Sequence, residues 1–103
     1  KILEKDILRA CLDYLTIKKI FHYRQNSGAF KREDGHFYRF GASGAPDIVV
    51  VINGQYIGVE CKAPKGQLSE NQLAFQKGLE RSGGKYIVVR SLDDIIKELK
   101  ELK

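Results

Sequence analysis

The sequence predicts an α/β fold in which a mixed β-sheet lies between helices. One observation is the stretch 46-PDIVVVINGQYIGVECK-62, where Asn53-Gly54 separates two runs rich in Val and Ile and favours the tight turn of a β-hairpin. A second is that both runs are apolar on both faces near their ends, which is typical of strands covered by helices on both sides. A third is the later order of helix, strand and helix, with residues 85–90 as the strand, because a helix between strands makes a crossover connection.

Periodicity predicts the elements that precede this hairpin. Residues 2–19 are predicted to form a helix with one apolar stripe, made by Leu8, Cys11, Leu12 and Leu15. Residues 21–26 alternate in polarity and predict a short strand. Asp34-Gly35 then predicts the turn of a further hairpin within residues 29–45.

Capping signals predict the last two helices. Ser69 begins a helix that carries Phe75 and Leu79 on its inner side and ends at the Ser-Gly-Gly of residues 82–84. Ser91 begins the final helix, whose expected inward side chains are Leu92, Ile95, Ile96, Leu99 and Leu102. The predicted order is therefore helix, strand, hairpin, two strands, helix, strand, helix.

Length and composition limit the class of protein. A chain of 103 residues is expected to form one domain, residues 1–103, and neither a membrane span nor a secretory leader is expected. The net charge of +5 suits an anionic partner. Cys11 and Cys61 lie on separate elements without metal-ligand spacing, so we expect reduced core cysteines and an intracellular setting.

The predicted hairpin brings two carboxylates together. A two-residue turn at Asn53-Gly54 fixes the register, so that Asp47 lies opposite Glu60 on the same face of the sheet. Lys62 emerges on that face as well, whereas Cys61 points to the other side. Like charges in direct opposition destabilise a sheet, so a cation is expected between them.

Two interpretations of this cluster follow. A divalent cation such as Mg²⁺ fits, because it takes oxygen ligands, commonly one or two carboxylates with water and substrate phosphate. The alternative is a solvated salt-bridge cluster of Asp47, Glu60 and Lys62, which charge pairing alone would favour. The apolar strands reverse that preference, because charges without a role are costly in a covered sheet.

These residues resemble a known nuclease motif. Pro46-Asp47 followed by Glu60-Cys61-Lys62 is similar to the PD-(D/E)XK signature. The blocks 24-RQNSGAF-30, 41-GASGAPDIV-49, 69-SENQLAF-75 and 82-SGGKYIVVRS-91 resemble the VRR-NUC (virus-type replication-repair nuclease) branch of that superfamily. One departure is Cys61, where Val is frequent in the branch, and it affects only packing. The resemblance implies a restriction-endonuclease-like core. It also implies that the protein acts in the cytoplasm of a bacterial or phage-infected host cell.

The resemblance also implies roles for the residues of the site. Asp47, Glu60 and the backbone carbonyl of Cys61 would hold Mg²⁺, with Mn²⁺ as a substitute, and Lys62 would assist cleavage of the phosphodiester. Glu4 lies on the stripe of the first helix, where it could simply complement the helix dipole. The resemblance instead makes Glu4 an outer-shell ligand that acts through water.

Gln72 has two interpretations of equal weight. Ser69 and Gln72 fit a capping box, with Leu68 and Leu73 as its hydrophobic staple, and this chemistry explains the glutamine fully. Gln72 also lies on the inward stripe of its helix, and the resemblance implies a glutamine beside the active site.

The expected partner is DNA. Basic side chains interleaved with aromatic ones suit phosphate contact, and the candidates are Lys31, Arg32, Arg39, Lys65 and Arg24. The aromatic side chains are equally suited to packing on the body of the protein. The resemblance implies a structure-specific endonuclease, plausibly a Holliday-junction-resolving enzyme that acts in recombination and repair. Two symmetric cuts would then require a homodimer. The alternatives are a monomeric flap or nick nuclease, a catalytically silent DNA-binding module, and an unrelated interaction domain.

Overall fold

The helices and strands follow one another in the predicted order. The computed structural model describes residues 2–25, 28–40 and 42–102, with the backbone alone at 28–30 and 37–40. The elements are α1 (Glu4–Ile17), β1 (His22–Arg24), β2 (Gly28–Lys31), β3 (Phe37–Phe40), β4 (Ile48–Ile52), β5 (Gln55–Cys61), α2 (Glu70–Arg81), β6 (Lys85–Val89) and α3 (Leu92–Lys100).

The main sheet is mixed, as predicted. Its four strands lie in the order β1-β4-β5-β6, and the pairs are antiparallel except for the parallel pair of β5 and β6. Strands β2 and β3 form a separate two-stranded sheet. The predicted hairpin register is confirmed, since Val51 pairs with Tyr56 and Val49 with Gly58. Asn53 and Gly54 have φ values of 52° and 80°, the positive region that the predicted turn requires.

Helices cover both faces of this sheet. Helices α1 and α3 pack on one face through a shared core, whose buried members are Ile7, Cys11, Leu15, Ile48, Val50, Ile57, Val59, Cys61, Ile87, Val89, Ile95 and Leu99. Helix α2 packs against β6 on the other face, where Phe75 contacts Tyr86. The two faces therefore differ, because the Cys61 face carries the buried apolar side chains of β4, β5 and β6 and the opposite face carries Glu60.

Details of the last two helices refine the predictions. The Ser69 and Ser91 caps are confirmed, since each hydroxyl accepts a hydrogen bond from the backbone N–H three residues on. The inward position of Leu92 is wrong, because its side chain is 38% exposed at the start of α3, one turn before the buried stripe begins at Ile95. None of the described helices is long and apolar enough to cross a membrane.

Candidate active site

Two carboxylates lie together at one end of the main sheet. Asp47 immediately precedes β4, and the pairing of Ile48 with Val59 places it opposite Glu60, near the end of β5. Glu60 is only 3% exposed. Lys62 extends the same face, and its Nζ lies 3.9 Å from Glu60 Oε2, with 12% of the side chain exposed. This burial excludes a solvated surface salt bridge as the explanation of the cluster.

The backbone of the hairpin holds Asp47. Its Oδ2 accepts a hydrogen bond of 2.8 Å from the backbone N–H of Cys61. Pro46 is buried against Gly58, and a Cβ atom added at Gly58 would lie 2.7 Å from Cγ of Pro46. Because only glycine leaves room for the proline ring, Pro46 and Gly58 together fix the path by which Asp47 enters β4.

Gln72 combines both of its predicted roles. Its side-chain Oε1 accepts a hydrogen bond of 2.9 Å from the backbone N–H of Ser69. The backbone N–H of Gln72 donates to Ser69 Oγ at 3.2 Å, which completes the capping box. Its Nε2 donates to Glu60 Oε2 at 3.0 Å. One amide therefore caps α2 and binds the buried carboxylate, so the two interpretations are compatible.

A glycine allows α2 to approach the carboxylates. Gly44 has a φ of 79°, and a Cβ atom at this position would collide with the carbonyl oxygen of Asn71 in the first turn of α2. The loop that leads to Asp47 therefore packs directly on the turn that carries Gln72. This contact couples the position of Asp47 to that of the glutamine.

Tyr86 belongs to the site, and the sequence-based interpretation missed it. Its side chain is 4% exposed on β6, and its hydroxyl donates to Glu60 Oε1 at 3.4 Å. Alternation in a strand puts Tyr86 and Val88 on one face, but the sequence does not determine the register of this strand with β5. In the structure, the parallel pairing of Val88 with Glu60 brings Tyr86 onto the face of the carboxylates.

Burial and like charge dominate the electrostatics of the site. Burial, followed by the negative charge of Asp47, raises the pKa of Glu60 to about 8, although Lys62 acts in the opposite direction. Burial also raises the pKa of Tyr86, with the charge of Glu60 as the next cause. The site therefore disfavours two free carboxylates and favours a proton or a cation beside Glu60.

Cys61 carries the apolar side of the same strand. The predicted core cysteines are confirmed, since Cys11 and Cys61 are both fully buried and free. A hydrogen bond with Cys11, followed by burial, raises the pKa of Cys61. Both sulfurs thus belong to the core between α1 and the sheet, and only the backbone of Cys61 serves the carboxylates.

The donor set fits a hard divalent cation. The buried carboxylate of Glu60, the half-buried carboxylate of Asp47 and the adjacent carbonyl of Cys61 are oxygen donors of the kind that Mg²⁺ takes together with water. In the described ranges, no group of three or more His, Cys, Asp or Glu side chains could hold a metal ion. A cation here would therefore rely on the pair, the carbonyl and water.

The structure places Glu4 at the start of α1. Its expected place on the buried side of the first helix is wrong, because its side chain is exposed at the first residue of α1. The first buried side chain of that helix is Ile7, one turn later. The helix also packs on the Cys61 face of the sheet, the face opposite to Glu60.

The predicted DNA-contact residues occupy two places. Arg24, at the end of β1, and Lys65, in the turn after Lys62, are exposed at the same end of the sheet as the carboxylates. Lys31 and Arg32 are exposed on the separate two-stranded sheet and its turn, where Arg32 Nε lies 3.8 Å from Asp34. The side chain of Arg39 lies outside the described residues.

Comparison with known proteins adds one family. The family model described as VRR-NUC domain matches residues 9–93. The match includes the carboxylate pair, Lys62, Gln72 and Tyr86, and it begins after Glu4. No curated protein gives a significant match to the chain.

Proposed function

The chain belongs to the VRR-NUC family of nucleases, and from the geometry of its site we propose that it is a divalent-metal-dependent, structure-specific DNA endonuclease that hydrolyses phosphodiester bonds. The observation that carries the proposal is the buried Glu60 beside the half-buried Asp47, with the ammonium of Lys62 3.9 Å from Glu60. A buried set of this kind is not explained as a surface ion pair. Phosphodiester hydrolysis requires carboxylates that bind a metal ion and a cation that stabilises developing negative charge, and this set provides both.

Asp47, Glu60 and the carbonyl of Cys61 are the residues that would hold the ion, which we propose to be Mg²⁺, with Mn²⁺ as a substitute. When bound, the ion would supply a water of lowered pKa and neutralise charge on the scissile phosphate. Hydrogen bonds from Cys61, Gln72 and Tyr86 orient the two carboxylates in advance, so little reorganisation is needed on binding.

Lys62 is the proposed catalytic cation. Its stem is mostly buried and its ammonium lies at the carboxylates, where it would orient or deprotonate the attacking water, or stabilise negative charge that develops on the phosphate oxygens. Burial restricts the ammonium to this region, because the hydrocarbon stem has little other space.

The proposed substrate is branched DNA. Lys65, in the turn after Lys62, would contact phosphates next to the scissile bond, and so would Arg24, which lies at the same end of the sheet but on the face of Ile48. Lys31, Arg32 and Arg39 would bind the backbone further away. We propose a four-way junction cut by a homodimer, since two symmetric incisions need two sites. Flap or nick cleavage by a monomer is the alternative.

The test is cleavage of a labelled panel of a four-way junction, a flap, a splayed arm, plain duplex and single strand, with Mg²⁺, Mn²⁺ or EDTA. We expect wild type to cut only with metal, and Asp47→Ala and Glu60→Ala to bind DNA without cutting it, because each loses a ligand and also relieves the like-charge pair. Symmetric incisions in the junction would support the resolvase. Activity retained in either variant removes the nuclease proposal, and DNA binding without cutting by wild type indicates a silent binding module.

A further inference from the structure

The geometry points to Arg90 as a positioning residue that holds the turn of residues 63–66 against Lys62. Its guanidinium Nη2 donates a hydrogen bond of 2.7 Å to the carbonyl oxygen of Gly66, 24 residues earlier in the chain. The inference rests on the proposed function for the role of Lys62, but the contact itself does not depend on that function.

Arg90 is anchored independently of its side chain. It directly follows β6, at the point where the N–H of Lys62 donates to the carbonyl of Val89 at 3.0 Å and extends the parallel ladder. Its own N–H donates to Asp94 Oδ2 at 2.8 Å, in the first turn of α3. The guanidinium therefore extends from a rigid junction between sheet and helix.

The turn that receives this guanidinium borders Lys62. The N–H of Gly66 donates to the carbonyl of Ala63 at 2.9 Å and closes the turn. A Cβ atom added at Gly66 would lie 3.4 Å from Cδ of Lys62, so the backbone of Gly66 runs beside the lysine stem. The exposed Lys65 lies in the same turn.

A loop next to a catalytic lysine is otherwise free to open, because its residues belong to neither β5 nor α2. The hydrogen bond from Arg90 to the carbonyl of Gly66 ties this loop to the junction of β6 and α3. Release of the turn would let the Lys62 stem move away from Glu60, and a small misplacement of a catalytic group lowers the rate strongly. Arg90 thus acts on the reaction through Lys62 and does not touch the substrate.

The experiment compares Arg90→Met with Arg9→Met. Methionine keeps an unbranched apolar stem and removes the donor, and the Arg9 variant makes the same charge change at an exposed position of α1. Limited trypsin digestion of the native proteins, read by mass spectrometry, gives the rate of cutting after Lys65 without any DNA. The melting temperature, and kcat and KM on the DNA that wild type cuts, are measured on the same samples.

In Arg90→Met, cutting after Lys65 should rise roughly tenfold while tryptic sites outside residues 62–66 keep their wild-type rates, because only the turn opens. We also expect kcat to fall roughly tenfold or more, with KM changed by less than about threefold. The inference would be overturned if Arg90→Met were cut after Lys65 at the wild-type rate, or if Arg9→Met showed the same increase. So would faster cutting at every site with a lower melting temperature, because Arg90 would then support the fold as a whole.

The two proposals fail in distinguishable ways. If wild type cuts no DNA while Arg90→Met alone opens the turn, the proposed function fails and the positioning contact is supported. If Arg90→Met does not fold, hydrogen exchange of wild type decides, since the Gly66 amide should exchange far more slowly than in an unfolded peptide. Exchange at the unfolded rate would sink the inference.

Discussion

Glu60 is the residue on which the site depends. It is buried beside another carboxylate, it accepts hydrogen bonds from Gln72 and Tyr86, and the ammonium of Lys62 lies 3.9 Å from its Oε2. Burial and the charge of Asp47 disfavour its ionised form more than Lys62 and Tyr86 favour it. Its pKa is therefore raised to about 8 in the metal-free protein. A carboxylate in this state binds a cation in exchange for a proton.

The raised pKa predicts how stability depends on pH. Between the ordinary value of 4.5 and about 8, the folded metal-free protein holds a proton on Glu60 that the unfolded chain has lost. The free energy of unfolding in EDTA should therefore fall as pH rises through this window. Glu60→Gln should flatten the profile and be the more stable protein at pH 8, as measured by urea unfolding at pH 5, 6.5 and 8.

The control for this prediction is exposed Glu80→Gln on α2, which should keep the wild-type slope. An unchanged slope in Glu60→Gln would show that another group titrates. Addition of Mg²⁺ to wild type should restore stability at pH 8 and release protons, because the ion replaces the proton beside the ionised carboxylate.

At the scale of elements, α2 serves the site through its first turn. Its capping box begins the helix and fixes the Gln72 amide, whose other end binds Glu60. The rest of the helix, which the structure describes in full, has no fully buried side chain. The helix is thus held by half-buried contacts, such as Phe75 with Tyr86, together with its N-terminal turn, and local capping is coupled to the geometry of the carboxylates.

The two functions of this turn can be separated. Ser69→Ala should cost about 1 kcal/mol of unfolding free energy, the usual loss for a capping hydroxyl, and leave most of the cleavage activity. Gln72→Ala should cost a similar amount and lower activity about tenfold or more, because it also frees Glu60. Urea unfolding and single-turnover cleavage measure the two effects. Equal activity in both variants would contradict the active-site role of Gln72.

The role of Gly58 in the β4–β5 hairpin can be tested by comparing the stability of two glycine variants. Gly58→Ala should destabilise by about 1–3 kcal/mol, because the added methyl would lie 2.7 Å from Cγ of Pro46. Gly78→Ala in α2 should instead stabilise by about 0.5–1 kcal/mol, because nothing lies within 4 Å of its Cβ position and alanine favours a helix. The comparison uses urea unfolding. A neutral Gly58→Ala would contradict the account of how Pro46 is held.

At the scale of the whole molecule, the sheet separates two tasks. One face packs on α1 and α3 and forms the apolar core, and the other carries the carboxylates beside α2. The ends of β1, β5 and β6 lie at the same end of the sheet as Asp47, where Lys62 follows β5 and Arg90 follows β6. Arg24 lies at this end on the opposite face, because it pairs with Ile48. Stability and chemistry are therefore supplied by different side chains of the same strands.

Oligomeric state is predicted at this scale. If the substrate is a four-way junction, the mass in solution should be that of a homodimer, near twice the 11.7 kDa of the chain, at the concentration of the cleavage assay. Light scattering coupled to size exclusion measures it. A strict monomer that still cuts DNA would direct attention to flap or nick substrates.

Local chemistry made much of the site predictable. Asn53-Gly54 permits a two-residue turn, and such a turn leaves one register, so the opposition of Asp47 and Glu60 could be predicted from spacing alone. The caps at Ser69 and Ser91 depend only on neighbours three residues away. These predictions succeeded because both partners lie within a few residues of one turn.

Contacts between distant segments were decided only by the tertiary structure. The pairing of β5 with β6 runs through a helical crossover, whose length sets no register, so the contact of Tyr86 with Glu60 and that of Arg90 with Gly66 could not be predicted. Periodicity placed Glu4 on an inward stripe, yet burial in α1 begins only at Ile7. The sequence by itself determined which residues form the hairpin and its paired carboxylates, because a tight turn is local. The side chains that surround the pair were decided by the packing of whole elements.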